Sequence, residues 1–345
     1  MEQPTWIKYI LFPFSMLYGV IMRIRNAAFD RGYLPSMAPP QWTISVGNLT
    51  VGGTGKTPVT EYLARLLKDT FPLAILSRGY GRNTRGFILA DEMANAGRIG
   101  DEPYQYYQKF GPDIAVAVCE KRIEGALKLA ELFPEKRTLL LDDAYQHRAI
   151  KRNVNLLLND YSRPFYEDLP FPAGRLREGR YGARRADAVV VTKCPAQLQD
   201  QERTRIQLAL APYIKRNTPV FFAGIKYAPA RLLSLQEHEI VDVMVVAGIA
   251  NPGPFLTEMN QKFKVVGQKL YPDHHNYTDV DIKELIQNLK NDTFVVTTEK
   301  DIVKLKPLAV GTALYERLAY VPIEIDLGKD QESFERWILA KVNQV

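Results

Sequence analysis

Apolar positions along this 345-residue chain alternate between two periods. Short runs rich in Val, Ile and Leu predict strands at 43–46, 73–76, 114–118, 139–142, 154–158, 188–192, 220–225, 243–247 and 294–297. Between many of them the apolar residues recur at helical spacing, as in 57–67, 121–132, 280–289 and 331–342. Strands that alternate with helices in this way imply an α/β fold, with parallel sheets covered by helices. The Pro- and Arg-rich segment 163–185 separates two such units. The expected domains are residues 31–155 and 156–328, the second closing over a site on the first. The helix within 329–345 would return to one of the two.

The stretch from Trp6 to Met22 breaks this pattern. It is nearly all apolar apart from Lys8 and Ser15, and Arg23 and Arg25 follow it. Ile7, Ile10, Leu11, Phe14, Leu17, Tyr18 and Ile21 recur at helical spacing. Pro13 predicts a kink, or a helix start close to that point. The run is short for a membrane span, and no small-residue cleavage site follows it. A helix within 1–30 lying in a membrane interface, anchored by aromatic and basic residues, is favoured over one docked on the protein's own core.

Composition narrows the classes further. With 46% apolar and 24% charged residues the chain can bury a large core, and its length favours two domains. Cys119 and Cys194 are the only cysteines, which excludes a disulfide framework and fits a reducing compartment. A net charge of +6 favours an anionic partner: a phosphorylated ligand, an anionic membrane face or nucleic acid. Aromatic residues do not interleave with lysines as a single-strand nucleic-acid platform requires, so no nucleic-acid partner is expected.

Candidate chemistry centres on Ser45-Val-Gly-Asn-Leu-Thr-Val-Gly-Gly-Thr-Gly-Lys-Thr-Pro58. A strand, a glycine-rich turn and a helix follow one another here, as in a phosphate-binding loop. Backbone N–H groups and the helix N-terminus attract phosphate. The candidate nucleotide contacts are Asn48, Thr50, Gly52, Gly53, Thr54, Gly55, Lys56 and Thr57. Lys56 would reach the β- and γ-phosphates, and the Thr57 hydroxyl would ligate Mg²⁺. The strict pattern wants glycine at position 50; this chain has Thr50, with Gly52 and Gly53 beside it.

Ligands in open α/β sheets collect at the carboxyl ends of strands, which selects the remaining candidates. Leu139-Leu-Leu-Asp-Asp143 is an apolar strand ending in two acids, the form that holds Mg²⁺ in phosphate-loop enzymes. Asp142 directly ends the strand and is the better ligand of the pair. His147 follows in the same turn, either structural or part of the site. Ser77-Arg-Gly-Tyr-Gly-Arg82 offers arginine forks for phosphate, Arg78 first among them. Asp101 and Glu102 stand at the expected start of a helix, where Asp101 would serve equally well as an N-cap. Tyr271-Pro-Asp-His-His-Asn-Tyr277 places two histidines beside an aspartate. A catalytic or positioning role is favoured there over a metal site, because adjacent histidines point apart.

Taken in order, these segments together with Pro172-Ala-Gly-Arg-Leu-Arg-Glu178 resemble the tetraacyldisaccharide 4′-kinase family over nearly the whole chain. That family commonly reads Asp-Asp-Gly-Phe-Gln-His where this chain has Ala144 and Tyr145. The resemblance implies phosphate-loop NTPase-like architecture with two α/β/α domains and an active site at their cleft. It implies ATP- and Mg²⁺-dependent phosphorylation of the 4′-hydroxyl of an acylated glucosamine disaccharide 1-phosphate, a lipid A precursor. The setting it implies is the cytoplasmic face of the bacterial inner membrane. By residue, Lys56 maps to the phosphate loop and Asp101 to the base that activates the sugar hydroxyl, with His274 as its partner. Thr57, Glu102, Asp142 and Asp143 map to the metal, and Arg78 and His147 lie near the nucleotide. The alternatives are a phosphate-loop GTPase and a kinase of a soluble sugar or nucleoside. Thr298-Glu-Lys-Asp301 and Thr192-Lys-Cys194 have the wrong spacing for a guanine-recognition motif. Nothing in the sequence speaks to oligomeric state.

Overall fold

The apolar runs assemble into two mainly parallel sheets in a computed structural model that describes residues 5–234, 239–290 and 292–343. Strands β1 (Trp42–Asn48), β2 (Leu73–Ser77), β3 (Ile88–Leu89), β4 (Ala115–Val118), β5 (Thr138–Asp142), β6 (Val154–Asp160), β7 (Ala188–Thr192) and β8 (Val220–Phe222) form the larger one. Its order is β3-β4-β2-β5-β1-β6-β7-β8. All pairs are parallel except β3 with β4. β9 (Gly224–Tyr227) pairs antiparallel with the late strand β15 (Ile323–Asp326). The smaller sheet holds β10 (Arg231–Leu232), β11 (Asp242–Ala247), β12 (Lys264–Leu270), β13 (Thr293–Thr298) and β14 (Leu318–Val321), in the order β10-β14-β13-β11-β12.

The helices are α1 (Thr5–Asp30), α2 (Lys56–Leu67), α3 (Ala96–Ile99), α4 (Asp101–Phe110) and α5 (Arg122–Leu132). They continue with α6 (Asp200–Leu210), α7 (Gly253–Lys262), α8 (Asp279–Asn288), α9 (Glu299–Ala309) and α10 (Gln331–Val342). Central strands are buried on both faces, hence their continuous apolar runs rather than alternation.

Two expectations are corrected here. The division placed at residue 155 falls inside the larger sheet, because β6, β7 and β8 extend the same hydrogen-bonded ladder beyond β1. The change of sheet comes after β8. The Pro/Arg-rich segment 163–185 is an excursion between two neighbouring strands, β6 and β7, of one sheet. The C-terminal helix returns to the larger sheet: Phe334, Ile338 and Val342 of α10 share a core with Val59 and Leu63 of α2 and Phe221 of β8.

The second correction concerns the start of α1, which lies at Thr5 rather than near Pro13. A proline inside a helix removes one backbone hydrogen bond; the helix nevertheless extends a further two turns toward its N-terminus. Ser15, Tyr18 and Asn26 face inward. Ser15 is buried and accepts a hydrogen bond from the Ala173 backbone N–H at 2.8 Å. Tyr18 donates to the Arg177 carbonyl at 2.8 Å, and Asn26 donates to Glu178 at 2.7 Å. Trp6, Tyr9, Ile10, Phe14, Leu17, Ile21 and Ile24 are exposed. Among the described residues α1 is the one helix long and apolar enough to cross a membrane, judged by length and composition.

Candidate active site

The loop between β1 and α2 has the backbone that a phosphate cradle needs. Gly55 caps α2 with φ +80°, a conformation strained for any residue with a side chain. A side chain at Gly52 or Gly53 would meet no atom of the described residues within 4 Å, so the loop is open on that side. The loop is braced from β7: the Thr192 hydroxyl donates to the Thr54 carbonyl at 2.9 Å, and Lys193 donates to the Gly53 carbonyl and to Asp160. On the other side the excursion 163–185 pairs with it. The Val51 N–H donates to the Arg175 carbonyl, and the Arg177 N–H to the Leu49 carbonyl.

Asp142 and Asp143 end β5 beside β1, so their register with Val46 sets them next to the loop. They behave differently. Asp143 is held by Arg177, whose guanidinium donates to both carboxylate oxygens at 2.9 and 3.0 Å, and Lys56 lies 3.9 Å away. Burial alone would raise its pKa, but Lys56 and Arg177 hold it below the ordinary value. Asp142 is fully buried, and burial first, then the charges of Glu102 and Asp143, push its carboxyl up to about 7. Its Oδ2 accepts from the Ser77 hydroxyl at 3.1 Å, while its Oδ1 has no hydrogen-bond partner among the described residues. An orphaned carboxylate oxygen at this depth is costly unless a ligand completes it.

That orphan fits a divalent cation. Among the described residues no three His, Cys, Asp or Glu side chains form a protein cage. Mg²⁺ needs none, since it is held by one or two carboxylates together with phosphate oxygens and water. Asp142, with the charge of Glu102 acting on it, suits such a site, and Thr57 stands at the start of α2 after the loop. Asp143 has both oxygens engaged by Arg177 and is the less free of the two acids.

Asp101 opens α4, and the structure rejects the N-cap reading. Gly100 occupies the cap position and no side chain caps the helix. A side chain at residue 100 would meet the Tyr80 carbonyl at 2.8 Å with φ at +95°, so glycine there lets the Arg78 loop press against the start of α4. The Asp101 carboxylate turns to the smaller sheet. His274 Nδ1 lies 3.1 Å and Lys304 Nζ 3.0 Å from its Oδ2. Burial would raise its pKa, yet the hydrogen bond from His274 and the charge of Lys304 together bring it below the ordinary value. Tyr80 packs on His274 with ring centroids 5.5 Å apart.

His274 and His275 diverge as adjacent residues should. His275 stacks on Tyr271 and reaches Asp281 at 3.3 Å, half-buried on the smaller unit. His147 sits below the acidic turn; burial, then the neighbouring charges of Arg122 and Arg78, push its pKa down to about 4. Arg78 is exposed on the loop that follows β2.

Among the described residues, the non-glycine positions with positive φ are Asp143, Lys193 and His274, at 46°, 59° and 60°. Each belongs to this site. Such conformations cost on the order of 1–3 kcal/mol, and they persist where the surroundings over-determine them.

Several participants escaped the sequence reading. Arg177 lies in a segment whose role was not assigned there, and only folding sets it against Asp143. Lys193 follows β7 directly, and only the fold brings it against the Gly53 carbonyl and Asp160. Lys304 carries no local signal, because it meets Asp101 across 203 positions of chain.

A family model described as tetraacyldisaccharide-1-P 4′-kinase (LpxK) matches residues 7–343. The chain is 42% identical to the tetraacyldisaccharide 4′-kinase of Flavobacterium johnsoniae over 344 residues, covering 98% of each. It is 38% identical to that of Bacteroides thetaiotaomicron, covering 97% of this chain and 93% of the relative. Its fold is similar to the crystal structure of LpxK from Aquifex aeolicus in complex with ATP. The TM-score is 0.77 at 30% identity, over 97% of this chain and 99% of that one.

Proposed function

The chain belongs to the tetraacyldisaccharide-1-P 4′-kinase family, and from that premise we propose that Asp101 is the base of its phosphoryl transfer, in a cleft closed by His274. The activity is ATP-dependent transfer of the γ-phosphate to the 4′-hydroxyl of a tetraacyldisaccharide 1-phosphate in lipid A biosynthesis. The GTPase and soluble-acceptor readings are not favoured.

The observation that carries the proposal is the position of the Asp101 carboxylate. It stands at the start of α4 with one oxygen saturated by donors from the smaller unit and the other facing no donor among the described residues. Phosphoryl transfer asks for positioning and charge neutralisation rather than covalent help from the protein. Lys56, with the N–H groups of residues 52–57, would bind the β- and γ-phosphates, and Arg78 would offset charge on the transferring group. Asp101 would take the proton of the 4′-hydroxyl as its oxygen bonds to phosphorus and the bond to the leaving ADP oxygen breaks. Mg²⁺, held by Asp142 with Thr57, Glu102 and Asp143, would neutralise charge on the phosphates. His147 would stay neutral and support the acidic turn.

Membrane contact belongs to the same proposal. The outward face of α1 offers Trp6, Tyr9, Phe14, Leu17 and Ile21 with no protein cover. Buried apolar area drives such a helix into the headgroup boundary. An acceptor whose acyl chains remain in the bilayer would present its sugar to a cleft docked beside that helix, on the cytoplasmic side where ATP is available.

The test is transfer of label from γ-labelled ATP to detergent-dispersed tetraacyldisaccharide 1-phosphate. Asp101→Ala is expected to lose about 10²- to 10⁴-fold in turnover, the usual contribution of a general base. Nucleotide binding should be unchanged. Turnover by the variant within a few-fold of wild type would remove Asp101 from the mechanism.

A further inference from the structure

The geometry points to a second pair of residues behind that base. We propose that Lys300 and Lys304, one turn apart on α9, are positioning residues. Lys300 fixes the tautomer of His274, and Lys304 shares Asp101 Oδ2 with it, so that Oδ1 alone is left to receive the proton. The reading of Asp101 as base is assumed; the tautomer assignment is not dependent on it.

The Lys300 Nζ lies 3.2 Å from His274 Nε2 and 3.0 Å from Asp273 Oδ1. An ammonium has donors only, so at that contact Nε2 must accept and carries no hydrogen. The other acceptor near Nε2, Asp273 Oδ2, is 3.9 Å away and out of hydrogen-bond reach. A doubly protonated ring would aim an N–H at the Lys300 ammonium. The single ring hydrogen therefore sits on Nδ1 and points at Asp101 Oδ2, 3.1 Å away.

Lys304 completes the arrangement. Its ammonium is nearly buried and donates to the same Oδ2 at 3.0 Å. Two N–H donors converge on one oxygen, and no hydrogen bond reaches Oδ1 from any described residue. The proton released by the sugar hydroxyl then goes to Oδ1 and stays there until solvent re-enters. His274 does not relay it, since its outer nitrogen is already bound to Lys300.

His274 is also held by its backbone, whose N–H donates to the Gly248 carbonyl at 3.2 Å. Loss of Lys300 should thus release the tautomer without releasing the residue. That separates a positioning role from a merely structural one.

The experiment uses the full chain in detergent, labelled with ¹⁵N-histidine and free of nucleotide. Long-range ¹H–¹⁵N correlation reads which ring nitrogen carries hydrogen, and His274→Gln assigns the signals among the four histidines. We expect hydrogen on Nδ1 in the wild type and a mixture of tautomers in Lys300→Met. We also expect Lys300→Met and Lys304→Met each to lower kcat by about tenfold or more, within the 10²- to 10⁴-fold that base assistance supplies. KM for ATP and lipid should stay within about twofold. Hydrogen on Nε2 in the wild type would overturn the proposal, and that spectrum decides even where a variant fails to fold. An unchanged tautomer in Lys300→Met, or an unchanged kcat in both variants, would overturn it as well. Full activity of Asp101→Ala, by contrast, would defeat the base assignment and leave the tautomer result standing.

Discussion

Replacing Lys109 with methionine tests what holds the catalytic helices in register. Lys109, on α4, lies 2.6 Å from Glu61 of α2 and 2.7 Å from Glu299 of α9. Gln105 adds a hydrogen bond to Glu61 at 2.8 Å and a longer one to Glu299 at 3.4 Å. The two carboxylate side chains are only 1% and 6% exposed, the ammonium 22%. Arg65, the remaining nearby cation, is 3.9 Å from Glu61 and more than a third exposed. One cation thus serves two buried acids contributed by the two α/β units. Removing one partner from a buried ionic pair costs about 3–5 kcal/mol, because the remaining charge is uncompensated. The partial exposure of Lys109 puts the expected loss near the lower end, about 3 kcal/mol.

The deficit should depend on pH with a definite sign. Burial raises the Glu61 pKa above its ordinary 4.5, and Glu299 adds to this while Lys109 opposes it. In Lys109→Met the opposing charge is gone and the folded-state value rises further. Between the unfolded and folded values the native state binds more protons than the unfolded chain, so stability increases as pH falls through that window. Unfolding of wild type, Lys109→Met, Glu61→Gln and the double variant, measured at about pH 8 and about pH 5.5, reads the effect. We expect the single lysine variant to recover on acidification and the double variant to recover only in part at the higher pH, since Glu299 stays buried without its cation. A loss below about 1 kcal/mol at the higher pH, as for a surface pair, would refute the reasoning. So would a deficit that grows on acidification. Turnover should fall along with stability, since α4 carries Asp101 and Glu102 at its first turn.

Other consequences are equally open to measurement. With Asp142 titrating near 7, calorimetry on the nucleotide-free protein should find Mg²⁺ affinity rising between about pH 6 and 8 with proton release, because the metal takes the ionised carboxylate. In Asp142→Asn that pH dependence should vanish. His147, held near 4, is neutral at working pH, so His147→Gln should leave the shape of the activity profile unchanged above about pH 5.5. Changing Trp6, Ile10, Leu17 and Ile21 together to serine should abolish sedimentation with anionic vesicles, since each such side chain contributes about 1.5–3 kcal/mol on leaving water. Nucleotide binding should survive that change, and vesicle binding at wild-type strength would dismiss α1 as the anchor.

Much of the site was legible in the sequence because its parts are local. A strand, a glycine turn and a lysine at a helix start are neighbours along the chain, and two acids end an apolar run. The hydrogen bonds and helix-terminal charge that make them a phosphate cradle need no distant partner. What was misread involved competition from outside. Asp101 has the chemistry of an N-cap, but Gly100 took that position, and the carboxylate found His274 and Lys304 instead. Pro13 can open a helix, yet α1 begins two turns before it.

By itself, the sequence determined the alternation of strands and helices, the phosphate loop with Lys56 and Thr57, the acidic strand end and the apolar N-terminal helix. Each of these is encoded by periodicity or by contacts within a few residues. The tertiary structure alone decided that β6 to β8 extend the first sheet and that α10 returns to it, because strand order is set by pairing across long loops. It alone brought Arg177 to Asp143, and Lys300 and Lys304 to the Asp101–His274 pair. Those contacts join groups 26 to 203 positions apart in the chain. No local preference specifies them; they exist because two cores, each buried for its own apolar surface, share α4 and α9 as their common edge.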